Sequence, residues 1–208
     1  MVRYLQDAAE KKAVFTADRD SISRIMLNFR LTDAKCTVTS QQLANAAYTT
    51  ANLLNELVSL TGGSAATEQK ASDYMAEMDK YDAKYSDADQ KTVSRLCTCV
   101  KLLTLIAKEH ASTTAQTTRV QSVADNWANN FNSETNLMFQ EVDCVYAMAR
   151  LLAVICNEFD GTGLASGTVS GVLDDLARYD DLVETYDGQI ANGYYRCAEL
   201  AQILSLVI

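Results

Sequence analysis

Residues 138–156 read MFQEVDCVYAMARLLAVIC. Met138, Val142, Val145, Ala149, Leu152 and Cys156 recur at steps of three and four, the spacing of one helical face. Two further stretches carry the same stripe: Val93, Leu96, Val100, Leu103, Ala107, and Val172, Leu176, Tyr179, Val183, Tyr186. Near the start, Phe15, Ile22, Ile25 and Phe29 follow it, with Asp18 interrupting. No segment alternates as a strand would. Cys36-Thr37-Val38-Thr39 is the one β-prone stretch, and it reads as a connector. Proline is absent from all 208 residues, so nothing breaks the helices from within. The spacing predicts an all-α helical bundle with up-down connectivity.

The punctuation agrees. Thr61-Gly62-Gly63-Ser64 and Asp160-Gly161-Thr162-Gly163 read as helix-ending turns, because glycine takes the left-handed conformation at a helix C-terminus. Ser40 and Ser133 read as N-caps.

Sliding the chain by 98 residues aligns 41–110 with 139–208 without a gap. Among the identities are Tyr48/Tyr146, Leu54/Leu152, Gly63/Gly161, Tyr81/Tyr179, Asp82/Asp180 and Cys99/Cys197. Twelve positions in seventy match, where ordinary residue frequencies give roughly four or five. The reading is two tandem, duplicated three-helix units, 1–98 and 99–208, packed together or continuous through a shared helix. Helices are expected near 3–30, 40–60 and 66–98, then 100–128, 134–158 and 166–207. The Thr-rich stretch Glu109–Thr118 is a poor helix former, and reads as an exposed bridge or a break.

A net charge of −9 excludes a general nucleic-acid binder, which needs positive charge against phosphate. Met1–Asp7 leads into no apolar run of signal-peptide type, and the strongest apolar run, Leu151–Cys156, is too short to span a bilayer. The expectation is a soluble, cytoplasmic protein with no membrane insertion. Six cysteines lie mostly among aliphatic residues and read as reduced core thiols. Cys97-Thr98-Cys99 lacks the spacing of a zinc site.

The chemistry-bearing residues form no recognised constellation. His110 is the single histidine and reads as a surface helix residue, which excludes multi-His metal sites. Asp79, Asp82, Asp87 and Asp89, and again Asp174, Asp175, Asp180, Asp181, Glu184 and Asp187, lack the frame of an EF-hand or di-iron site, and read as solvated helix faces. Gly161–Gly167 lacks the strand and lysine of a P-loop. Tyr81, Tyr85, Tyr179 and Tyr186 read as core packing, with each hydroxyl reaching the rim. No catalytic, cofactor or metal residue is assigned, and no enzyme activity is expected.

Tyr85-Ser86-Asp87-Ala88-Asp89 reads Tyr-x-x-x-Asp after a helix, a glycine turn and a helix. In this it resembles small helical substrates of type VII secretion, which implies export without a Sec signal. The chain departs from that family at Thr61-Gly62-Gly63, where the family carries Trp-x-Gly, and in its cysteine content. The paired three-helix layout also resembles spectrin-type repeats, with no motif in common. Neither resemblance is taken as membership. The expected function is a non-catalytic bundle acting through protein–protein contacts, as assembly subunit, scaffold or adaptor, with a protein partner or its own copies. The alternatives are a secreted helical effector and a bundle holding a small apolar molecule or lipid.

Overall fold

The computed structural model describes residues 1–161, 163, 165–183 and 185–208, without the Ala165 side chain. The described residues form nine α-helices and no strand. They are α1 (Val2–Lys12), α2 (Thr16–Asp33), α3 (Thr39–Leu60), α4 (Ala65–Lys84), α5 (Ala88–His110), α6 (Thr114–Ser133), α7 (Leu137–Phe159), α8 (Ala165–Asp180) and α9 (Tyr186–Val207).

The expected six helices are therefore corrected to nine. The stretches 3–30, 66–98 and 166–207 each split, and no break falls at 98/99, where α5 runs straight through. Each new start satisfies the orphan amides of a first turn. Asp87 accepts from the Asp89 and Gln90 amides at 3.1 and 2.9 Å. Thr113 accepts from the Gln116 amide at 3.2 Å, and Gln116 accepts in return from the Thr113 amide at 2.8 Å. Thr185 accepts from the Gly188 amide at 3.4 Å. Ahead of α2, Asp18 accepts from the Phe15 amide at 3.2 Å, which explains the charge that interrupted the first stripe. The Glu109–Thr118 stretch is a break, with α6 starting inside it. The proposed caps Ser40 and Ser133 are corrected too: Ser40 lies inside the first turn of α3, and Ser133 ends α6.

Both glycine turns end helices. Gly62 has φ +86° and Gly163 has φ +69°. The Gly63 amide donates to the Val58 carbonyl at 2.9 Å, and a Cβ on Gly63 would lie 2.6 Å from that oxygen.

The odd-numbered helices form the interior. α3 packs on α5, α5 on α7, α7 on α9, and α1 closes the circuit by packing on both α9 and α3. They run parallel. Arg95 and Cys99 of α5 donate to the carbonyls of Ala44 and Ala47 of α3, so later residues meet later residues. Tyr194 and Cys197 of α9 meet Glu141 and Val145 of α7 in the same sense. Short connections return the even helices antiparallel on the outside, each bridging two neighbouring odd helices. Among the described residues no outer helix bridges α9 and α1.

α7 shows why its sequence decides the class. Beyond the stripe, Cys144–Ala149 and Leu151–Cys156 are buried without interruption, since α5, α6, α8 and α9 surround the helix. Leu54, Leu103, Leu152 and Leu200 are buried in the same core, and each such burial contributes about 1.5–3 kcal/mol. The cavity where the C-terminal halves of α3, α5, α7 and α9 meet is about 10 Å³, too small for a ligand.

Helix starts recur at the sequence offset: Thr16 and Thr114, Thr39 and Leu137, Ala88 and Tyr186. Contacts recur as well. Cys99 donates to the Ala47 carbonyl at 3.7 Å and Cys197 to the Val145 carbonyl at 3.3 Å. Each recurring set contains four helices, α2–α5 and α6–α9, rather than the expected three.

Candidate binding groove between helices α4 and α6

The outer helices are weakly apolar. In α4 only Ala71 and Met78 are buried, and in α6 only Val120. α4 settles on α3 and α5, and α6 settles on α5 and α7, with α5 between them. The gap between them is a groove of about 510 Å³, within the size range of small-molecule sites.

Aromatic rings form much of its lining. Tyr81 and Tyr85 stand one turn apart on α4, with ring centroids 6.2 Å apart and planes within 4°. Trp127 and Phe131 stand one turn apart on α6, with centroids 5.4 Å apart and planes tilted by 41°. Val93 and Cys97 of α5 and Leu137 of α7 supply apolar surface between them, and Gln90, Ser94 and Asn132 contribute amides and a hydroxyl. The expectation that Tyr81, Tyr179 and Tyr186 pack in the core is corrected: they are 43%, 41% and 39% exposed. Tyrosine presents an apolar face and a polar tip, so a seam position at the rim suits it as well as the interior.

The charges of the groove cancel. Lys101 pairs with Glu77 at 2.9 Å and lies 5.2 Å above the Tyr74 ring. Burial pushes the Lys101 ammonium down, but Cys97, Glu77 and Tyr74 together leave it above its ordinary value, so it stays charged. Burial raises the Cys97 thiol, which keeps it protonated and a poor nucleophile. The lining can hold a ring and hydrogen-bond its edge.

The other residues singled out by sequence sit elsewhere. His110 ends α5 with its ring 4.6 Å from Phe159, half-buried rather than on the surface, and its Nε2 has no hydrogen-bond partner among the described residues. Burial pushes its imidazole below the ordinary value. The acidic clusters are divided among structural tasks. Asp82 pairs with Arg95 at 2.8 Å, Asp87 caps α5, and Asp180 accepts from the Tyr146 hydroxyl at 2.8 Å. Asp175 pairs with Arg178 at 2.7 Å and faces Arg196 at 3.5 Å. Glu184, Thr162 and Leu164 lie outside the described residues. Among the described residues no group of three or more His, Cys, Asp or Glu is placed to hold a metal ion. All six cysteines are free, and Cys99, Cys144, Cys156 and Cys197 are buried. Burial pushes Cys156 and Cys197 up to about 12. The Tyr85–Asp89 motif spans the break between α4 and α5, where Tyr85 is the C-cap of one helix and Asp87 the N-cap of the next.

No family model, curated protein or solved structure matches the chain. No described helix is long and apolar enough to cross a membrane.

Proposed function

We propose that the chain is a non-catalytic helical-bundle protein that works through protein–protein contacts, as an assembly subunit, scaffold or adaptor. One observation carries this reading. The outward side of α2 presents Leu27 and Leu31, one turn apart and 55% and 54% exposed. The corresponding positions of α6 are Asp125 and Asn129. Two outer helices with the same place in the fold thus differ in what they offer to solvent. Val38 is exposed just past the C-terminal end of α2, and Val14 and Phe15 at its N-terminal end. Exposed apolar side chains along one helix are the ordinary substance of an interface core. The cavity of only about 10 Å³ where α3, α5, α7 and α9 meet favours this reading over an apolar ligand at that place in the bundle. The recurrence of helix starts and thiol contacts supports the duplication, and with it a scaffold built from two related units.

The test is native mass by light scattering across a concentration series, for the wild type and for L27D/L31N, which copies α6 onto α2. Self-association in the wild type and a monomer in the variant support contact through α2. A wild type that stays monomeric and retains no protein partner in a pull-down, or a variant that associates equally well, removes the reading.

A further inference from the structure

We infer that the groove between α4 and α6 is a binding site for an uncharged, flat aromatic ring system with hydrogen-bonding groups on its edge. The inference is independent of the proposed contact surface on α2.

The second half of the molecule carries a related groove of about 590 Å³, with different side chains at corresponding positions. On α8 and α9, Asp175, Tyr179, Asn192 and Arg196 line the corresponding groove. They stand 98 residues after Glu77, Tyr81, Ser94 and Thr98. There the Arg196 guanidinium, a flat group, lies 5.2 Å from the Tyr179 ring centre and 5.0 Å from that of Tyr195. Glu199 at 2.7 Å and Asp175 at 3.5 Å neutralise it. In the first half Thr98 takes the arginine's place. It is buried, and its hydroxyl donates to the Ser94 carbonyl at 3.2 Å. Among the described residues no guanidinium lies over Tyr81, the α5 arginine Arg95 lying over Tyr48 instead, and the α4–α6 groove has rings on both of its outer helices.

The occupant's chemistry follows from the lining. Parallel Tyr81 and Tyr85 rings, with Trp127 and Phe131 on α6, favour a planar ring, because offset stacking and edge-to-face contact both require one. An apolar cavity of about 150 Å³ holds a single benzene ring, so 510 Å³ accommodates a fused system of two or three rings. Lys101 and Glu77 already neutralise each other, and the Lys84 ammonium, 5.4 Å from the Tyr85 ring centre, is exposed to solvent, so a charged ligand would lose hydration against at most a solvated counter-charge. Gln90, Ser94 and Asn132 suit hydroxyl, amide or ring-nitrogen groups on a ligand's edge.

The chain has a single tryptophan, and it lines this groove. The Trp127 indole N–H therefore gives one nitrogen-edited NMR signal that reports on the site. The experiment titrates 2-naphthol into the labelled full chain, with 2-naphthoate, 2-naphthylmethylammonium and cyclohexanol as the anionic, cationic and non-planar probes. The expected result is a saturable shift of the Trp127 signal with 2-naphthol, and binding at least about tenfold weaker for the other three. Tyr81→Ala, which removes a partly exposed ring, should weaken binding severalfold. Ser94→Phe, which plugs the groove, should abolish it. Should Ser94→Phe not fold, Ala128→Phe plugs the groove from α6. No saturable shift, equal or tighter binding of a charged probe, or wild-type binding by a folded plugged variant would overturn the inference.

Discussion

The two grooves over α5 and α9 share corresponding lining positions and differ in what lies against their tyrosine rings. Both are open, at about 510 and 590 Å³, but in the second the Arg196 guanidinium lies against Tyr179 and Tyr195, where the first half has the buried Thr98. A second contrast lies on the facing helices. Glu141 of α7 and Tyr194 of α9 form a hydrogen bond of 2.9 Å where the first half has Leu43 and Leu96. A third is Gly193, whose place in the first half is taken by Arg95. The leucine and thiol framework repeats while the residues around it change task. Shape-filling positions set the helix arrangement, and single polar substitutions decide what a surface presents.

The comparison is most exposed to failure in the core. Leu54 and Leu152 are both fully buried and correspond across the two halves. Leu54→Ala and Leu152→Ala should each cost about 2–5 kcal/mol in chemical denaturation. Costs differing by more than about 2 kcal/mol would show that the halves are not equivalent in packing. Next comes the close approach of α9 to α7. A Cβ on Gly193 would fall 2.3 Å from Val145 Cγ2 and 3.0 Å from its Cβ. Gly193→Ala should therefore destabilise by about 1–3 kcal/mol, measured the same way. An unchanged midpoint would mean that the α7–α9 interface yields freely.

The Glu141–Tyr194 pair sharpens the comparison through its pH dependence. Burial raises the Glu141 carboxyl above its ordinary 4.5, against the lowering effect of the Tyr194 hydroxyl. The folded state thus favours the protonated form. That contribution is fully present below 4.5 and is lost as pH rises through the raised folded value. Asp143, raised chiefly by burial, adds the same sign. Glu141→Gln should raise the thermal midpoint at neutral pH and leave it nearly unchanged in acid. Tyr194→Phe should cost about 1–3 kcal/mol by leaving the carboxylate without its donor, while E141L/Y194L, which copies the first half, should be close to neutral. A double variant worse than Tyr194→Phe would show that the pair is no simple replacement for two leucines. The smallest expected effect on stability belongs to L27D/L31N. It should stay within about 0.5 kcal/mol, so any change in native mass reports contact rather than unfolding.

Helix class was legible because burying a stripe requires periodicity, and periodicity survives in a bare sequence. Gly62 and Gly163 were legible as turns for a related reason, since their positive φ restricts which residues serve there. The breaks near Phe15, Asp87 and Thr185 were not legible. The apolar seams continue across them, and a capping Asp or Thr looks like any surface polar residue until the backbone turns beneath it. The groove was hidden for a different reason. Its lining comes from α4, α5, α6 and α7, and Tyr81 and Trp127 each belong to an ordinary amphipathic seam.

From residue order alone came the all-helical class, the apolar stripe of α7 and the sequence matches at positions 98 apart. These depend on local spacing and side-chain volume, which chain order encodes directly. The parallel circuit of odd helices, the groove between two outer helices, and the guanidinium laid over Tyr179 and Tyr195 emerged only in three dimensions. Such features depend on which faces come to lie opposite one another, and that is settled by the packing of the whole chain rather than by any stretch within it.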